Sequence, residues 1–263
     1  MNLFVFDIET IPDVASGRRL HDFEGLSDAD AGKAMLHMRL QQTGSEFLPL
    51  HLHRICAISV VMRHGDRVKV WSLGEKDADE AELVQRFFDG IDRFMPTLVS
   101  WNGGGFDLPV LHYRALLHGI QAPRYWDTGG ADREFKWNNY LSRFHERHTD
   151  LMDVLAGYQP RACAKLDEVA SMLGFPGKMG MSGAHVWDAF KAGEIDGIRN
   201  YCETDVLNTY LVYLRFQLIR GQLAEQDYAG ELELLRETLR QENRAHFTEF
   251  LEHWQTDGPG SGS

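Results

Sequence analysis

The 263 residues are 43% hydrophobic and 25% charged, with 25 glycines and 8 prolines, a profile that excludes a disordered or collagen-like chain. At roughly 150 residues per domain, the length fits a single elaborated domain. A net charge of −12, from 27 basic and 39 acidic residues, argues against a protein that coats nucleic acid with a broad basic surface. It does not exclude an enzyme whose carboxylates are neutralised by bound cations.

The longest apolar stretch, residues 55–62 with Ser59 inside it, falls far short of the roughly 20 residues that span a bilayer. The amino terminus runs from apolar residues straight into Asp7 and Glu9, without the basic start of a secretory signal. A cytoplasmic location and no membrane partner are therefore expected. Cys56, Cys163 and Cys202 lack the C-x-x-C spacing of zinc or redox sites and are expected to be buried thiols.

Residues 2–8 are mostly apolar and suit a central strand that carries Asp7 at its end. From 13 to 49 the pattern turns polar, with a helical stretch near 28–41, as expected of an insertion on the frame. Residues 54–62 and 67–73 are strand-like around His64-Gly65-Asp66, where Gly leads a two-residue hairpin turn. Leu83, Phe87, Phe88 and Ile91 recur at helical spacing within 77–94, Pro96 closes that helix, and 97–101 is a short strand. Asn102-Gly103-Gly104-Gly105 leaves the strand as a loop; a helix over 107–118 ends at Gly119, and 149–155 is a last strand. Helices dominate thereafter, among them a polar helix over 224–254 whose Leu232, Leu235 and Leu239 stripe is expected to pack on the domain. The end, 258–263, has the composition of a flexible linker. Five strands with interspersed helices predict an α/β fold, a mixed sheet with helices on its faces.

Three sequence signals carry chemistry. Asp7 and Glu9 are two residues apart on an apolar strand, so both carboxylates point to one face. Buried there, they carry a desolvation cost unless a cation or donor satisfies them. Phe106-Asp107 follows a strand and loop and opens a helix; Asp107 is also suited to a plain helix N-cap. Tyr201 and Asp205 are one turn apart on a late helix, a pairing that by itself is common on structural helix faces. If all four acids converge, like-charge repulsion makes divalent cations the natural solution, and oxygen-only ligands point to Mg²⁺ or Mn²⁺. Two such ions suit phosphodiester hydrolysis.

In these three motifs, taken in order, the chain resembles the DEDD superfamily of 3′-to-5′ exonucleases, whose fold is ribonuclease H-like. Phe6-Asp7-Ile8-Glu9-Thr10 resembles the first motif, Asn102 with Phe106-Asp107 the second, and Tyr201 with Asp205 the third. Tyrosine four residues before the last acid marks the tyrosine subtype; the histidine subtype would place His where Asn200 stands. His148 to Asp153, Leu173 to Lys178 and Tyr201 to Tyr213 resemble a bacterial branch similar to the proofreading exonuclease domain of family-B DNA polymerases.

The resemblance implies two metal ions held by Asp7, Glu9, Asp107 and Asp205. It further implies that Tyr201 positions the attacking water and that Thr10, Asn102 and Phe106 line the pocket for the terminal nucleotide. It implies one exonuclease domain over residues 1–220, with insertions at about 13–49 and 122–148. A helical extension over 221–256 and a tail over 257–263 complete the chain.

Two further segments suit substrate contact. Residues 124–148 interleave Arg124, Arg133, Lys136, Arg143 and Arg147 with Tyr125, Trp126, Trp137, Tyr140 and Phe144, a pattern equally suited to a surface insertion. Lys178 sits in a glycine-rich stretch, 174–183, expected to be a mobile loop near the site that closes on a phosphate. His51, His53, His145 and His148 form no metal-site pattern.

The leading expectation is a 3′-to-5′ exonuclease on single-stranded DNA or frayed 3′ ends, releasing nucleoside 5′-monophosphates. No polymerase domain is expected in the remaining length. The alternatives are an exoribonuclease or small-oligonucleotide nuclease, and a non-catalytic nucleic-acid-binding module. Four facing acids disfavour the last.

Overall fold

The computed structural model describes residues 1–254; the linker-like end and the 257–263 tail expected from composition lie outside the described residues. In chain order the strands are β1 (Asn2–Pro12), β2 (His53–His64), β3 (Arg67–Ser72), β4 (Thr97–Ser100) and β5 (His148–Asp150). The helices are α1 (Val14–Leu20), α2 (Asp28–Thr43), α3 (Glu80–Phe94), α4 (Asp107–His118), α5 (Pro123–Trp126) and α6 (Leu151–Leu155). After them come α7 (Leu166–Met172), α8 (Val186–Lys191), α9 (Ile195–Ile219), α10 (Glu225–Glu242) and α11 (Ala245–His253). The strands form one mixed five-stranded sheet in the order β3-β2-β1-β4-β5. β1 is antiparallel to β2 and parallel to β4, so the strand carrying Asp7 and Glu9 is central, as the α/β reading expects.

Side-chain alternation along β1 divides the core. Leu3 and Val5 point to the face covered by α7, α9, α10 and α11, whereas Phe4, Phe6 and Ile8 point to the face covered by α3, α4 and α5. Phe6 and Phe87 meet edge to face at 5.0 Å across that second face. Each large side chain buried in this way contributes about 1.5–3 kcal/mol, and most of α9 after Ile198 is buried. α9 is therefore fixed against the sheet over its length. Among the described residues, no helix is long and apolar enough to cross a membrane.

Several local expectations need correction. The last strand ends at Asp150, and residues 151–155 turn into α6, because Asp150 caps that helix by accepting from the Asp153 N–H. The single late helix is two: Asn243 takes a left-handed conformation (φ 48°) and separates α10 from α11. Leu235 and Leu239 of the stripe are buried against the domain, with Leu232 packed beside them. The segment 13–49 holds α1 as well as the expected helix, with Phe23, Met35 and Leu48 in a small core of their own. Of the three thiols expected to be buried, only Cys202 is; Cys56 and Cys163 are half-buried.

Candidate active site

The period of two along β1 places Asp7 and Glu9 on the same face as Val5, the face that α9 covers. β4 is shorter than its neighbour and its pairing with β1 stops at Val5↔Val99, leaving the next stretch of β1 without a ladder partner on that side. Asp107 occupies the gap: its Oδ1 accepts from the Ile8 N–H at 3.1 Å. The sequence also suits Asp107 as a helix cap, but Phe106 holds the cap position and Asp107 is the first residue of α4, which frees its carboxylate to turn toward β1. On α9, Cys202 directs its thiol to Asp7, with Sγ 3.4 Å from the backbone oxygen and 3.6 Å from Oδ2.

The loop before Asp107 is held by residues that the sequence leaves without a role. Asp150, at the end of β5, accepts from the Asn102 N–H at 2.9 Å and the Gly104 N–H at 2.8 Å. Ser100 Oγ meets His148 Nε2 at 2.8 Å. Asn102 is left-handed (φ 63°), and its carbonyl accepts from the N–H groups of Gly105 and Phe106. Gly103 is required, since a Cβ there would lie 2.2 Å from Ser100 Oγ.

Asp7, Glu9, Asp107 and Asp205 come from three distant segments and act on one another electrostatically. Burial first, then the charges of Asp107, Glu9 and Asp205, push the Asp7 carboxyl well above the ordinary range. Burial, then Asp205 and Asp107, do the same to Glu9. Burial raises Asp107 to about 7 against the opposing Ile8 hydrogen bond, and raises Asp205 to about 6 against the Tyr201 phenol and the Lys178 charge. Tyr201 is itself pushed far above the ordinary range by burial and by Asp205, Glu9 and Asp7. Among the described residues, Asp7, Glu9 and Cys202 bring their ligand atoms within 4.8 Å of one another. Cys202 reads in sequence only as a buried thiol, and no spacing rule reveals that it faces Asp7.

The donor set fits a hard divalent cation, because it is dominated by carboxylate oxygen, and the protons of Asp7 and Glu9 are held on by burial and by the neighbouring acid charges. Lys178 is exposed and acts on Asp205 through space. The root of its loop is not free. The Asn208 side chain brackets Gly177, accepting its N–H at 3.1 Å and donating to its carbonyl at 2.8 Å.

Thr10 turns to the opposite face from Glu9, where its hydroxyl meets His53 Nδ1 at 2.8 Å. Phe106 packs edge-on against the His53 ring at 5.1 Å. The basic and aromatic residues of 124–148 are largely structural: Tyr125 and Tyr140 are in the core, and Arg147 stacks on the buried Phe135 ring at 4.1 Å. Trp137 and Phe144 are exposed. A cavity of about 880 Å³ opens beyond the end of β1, lined by Asp13, Arg54, Glu80, Arg114, Trp187 and Phe190 among others, and none of the four acids lines it.

Comparison with known proteins places the chain in a family. Over a 43-residue stretch, 16% of this chain, the sequence is 46% identical to the catalytic subunit of DNA polymerase epsilon from Saccharomyces cerevisiae, of which that stretch covers 2%. Among solved structures, the family B DNA polymerase of the hyperthermophilic archaeon Pyrobaculum calidifontis aligns with 81% of this chain and 25% of its own, at 16% identity and a TM-score of 0.44. The chain thus spans a quarter or less of the length of either protein. Residues 45–254, which include Asp107, Tyr201 and Asp205 but not β1, match a family model described as a predicted 3′-5′ exonuclease related to the exonuclease domain of PolB. That match covers well over half of the sequence, and the chain belongs to this family of predicted 3′-5′ exonucleases.

Proposed function

We propose that the protein is a metal-dependent 3′-to-5′ exonuclease of the tyrosine subtype, which removes nucleoside 5′-monophosphates from the 3′ end of single-stranded DNA. One observation carries the reading: the charges of neighbouring acids from α4 and α9 raise the pKa of Asp7 and Glu9 on β1, burial raises those of Asp107 and Asp205, and a tyrosine that stays protonated lies alongside. A binding module for a polyanion gains nothing from such a cluster, which repels phosphate unless cations intervene.

Asp7, Glu9, Asp107 and Asp205 would hold two divalent cations, Mg²⁺ or Mn²⁺. When bound, such ions neutralise the charge developing on the phosphate and make water acidic enough to attack near neutral pH. The residues of the chain supply positioning. Asp107 is oriented by the Ile8 N–H and, through its loop, by Asp150. Tyr201 acts as a hydrogen-bonding group that orients the nucleophile; with its pKa raised, it does not serve as a base. Asn102 and Phe106 border the terminal nucleotide, and Lys178 meets a phosphate.

The test incubates 3′- and 5′-labelled DNA and RNA oligonucleotides with the protein and Mg²⁺, Mn²⁺ or EDTA. Stepwise shortening from the 3′ end of DNA, abolished by EDTA, is the expected result. Undiminished cleavage in EDTA would sink the metal assignment. Preference for RNA would overturn the substrate, and mobility shifts without cleavage would overturn the enzyme.

A further inference from the structure

Phe47 lies between α2 and β2, in the segment 13–49 that reads in sequence as an insertion without a role. Its neighbour Leu48 is buried in the insertion's small core at 3% exposure, whereas the Phe47 side chain is 56% exposed. Leu48 thus anchors the segment, and Phe47 is displayed. What Phe47 rests on is the edge of the candidate site. Its ring centroid is 5.7 Å from that of Phe106, the residue before Asp107, and 5.2 Å from that of His53. His53 is fixed on both sides, by the Thr10 hydroxyl at Nδ1 and by the Leu48 carbonyl at 3.1 Å from Nε2. A carbonyl only accepts, so Nε2 carries the ring proton and Nδ1 accepts from Thr10, leaving no ring nitrogen free for a ligand.

Three rings therefore pack together on the other face of β1 from Asp7 and Glu9, one residue removed in sequence from Asp107 through Phe106 and from Glu9 through Thr10. They offer aromatic surface and no unused hydrogen-bonding group. We propose that Phe47, backed by His53 and Phe106, is a stacking platform for a nucleobase at the 3′ end of the substrate, supplied by the insertion. This inference rests on the exonuclease reading. Stacking without edge contacts tolerates every base, so the platform senses whether a base is present and not which base it is.

The experiment measures binding of an oligonucleotide with 2-aminopurine at its 3′ end to the Asp107→Asn protein, with and without a second change at Phe47. Phe47→Ala and Phe47→Leu should each weaken binding roughly 5- to 150-fold, the range for one lost base–aromatic stack, and relieve the quenching of 2-aminopurine. Phe47→Trp should retain both. The leucine keeps apolar packing, so a loss confined to alanine would assign Phe47 a packing role and overturn the platform. An abasic 3′ end should bind more weakly than a normal end to the Phe47 protein and equally to the Phe47→Ala protein. Unchanged affinity and quenching in both variants, with the wild type still cutting oligonucleotides, would overturn this inference alone. If the wild type neither binds nor cuts, the exonuclease reading falls and the platform with it.

Discussion

Replacing Asp107 by Asn isolates the charge of one acid and keeps its shape. The amide retains an Oδ1 acceptor for the Ile8 N–H, so the hydrogen bond at 3.1 Å survives. In the folded chain the carboxyl of Asp107 is raised to about 7, against roughly 3.9 when unfolded. A raised folded pKa gives a contribution complete below about pH 4 and lost as pH climbs through about 7. At about 1.4 kcal/mol for each of three units, the loss approaches 4 kcal/mol, and water entry with side-chain relaxation brings it to about 2–4 kcal/mol.

In EDTA near pH 8, Asp107→Asn should therefore be more stable than the wild type by that amount, or roughly 5–15 °C in Tm for a chain of this length. Near pH 4 the two should melt together, since the wild-type acid is then neutral. Mg²⁺ at millimolar concentration should raise the wild-type Tm and leave the variant nearly unmoved. The assay is thermal or denaturant unfolding across pH, with and without metal. A variant less stable than the wild type at every pH would refute the reasoning and make Asp107 a structural acceptor.

On the proposed role of its hydroxyl in orienting the nucleophile, Tyr201→Phe should lower turnover by roughly 10²-fold with little change in affinity. Wild-type turnover would return Tyr201 to ordinary helix packing. Asp107→Asn should lose cleavage, and Lys178→Ala assayed on that protein should reduce the salt slope of log affinity by about 1 without lowering Tm; an unchanged slope would make the lysine a solvated charge. Glu203 is buried and accepts from the Ser72 N–H and hydroxyl while pairing with Arg244 at 2.7 Å and His246 at 2.8 Å. Glu203→Ala strands those partners and should cost about 3 kcal/mol. Its pKa is lowered in the fold by His246, Arg244 and Ser72 against the opposing effect of burial. That stability is present above the unfolded carboxyl value and is lost as pH falls through the folded one. A Tm difference between wild type and variant that persists undiminished in acid would contradict this.

The local signals of the sequence were strongest where backbone geometry and burial are set within a few residues. α4 runs over the residues that helical spacing and a left-handed Gly119 demand. The β2–β3 hairpin turns at Gly65, whose positive φ of 59° suits the two-residue turn. Alternation along β1 fixed which residues share a face, and so determined that Asp7 and Glu9 point together. Local pattern was weaker at 149–155, where three strand residues pass directly into a helix and the apolar run suits either state. It also failed to separate α10 from α11, because a single left-handed asparagine breaks the helix without glycine or proline.

What the sequence by itself determined is the inventory: apolar strands, amphipathic helices, and acids at the ends of particular elements. Which of those acids meet was decided by the tertiary structure, since the Asp107 carboxylate reaches Ile8 across 99 residues and the Cys202 thiol reaches Asp7 across 195. The early end of β4, which leaves the Ile8 N–H for Asp107, and the Asp150 clamp on the preceding loop are likewise products of sheet packing. So is the sorting of basic and aromatic residues in 124–148 into core and surface, where Phe135 is buried and Phe144 exposed without a regular period to tell them apart. Periodicity reports the environment of one element at a time. The chemistry proposed for this chain depends on charges brought together from three elements, and their repulsion of Asp7 and Glu9 exists only once the sheet and α9 have closed around them.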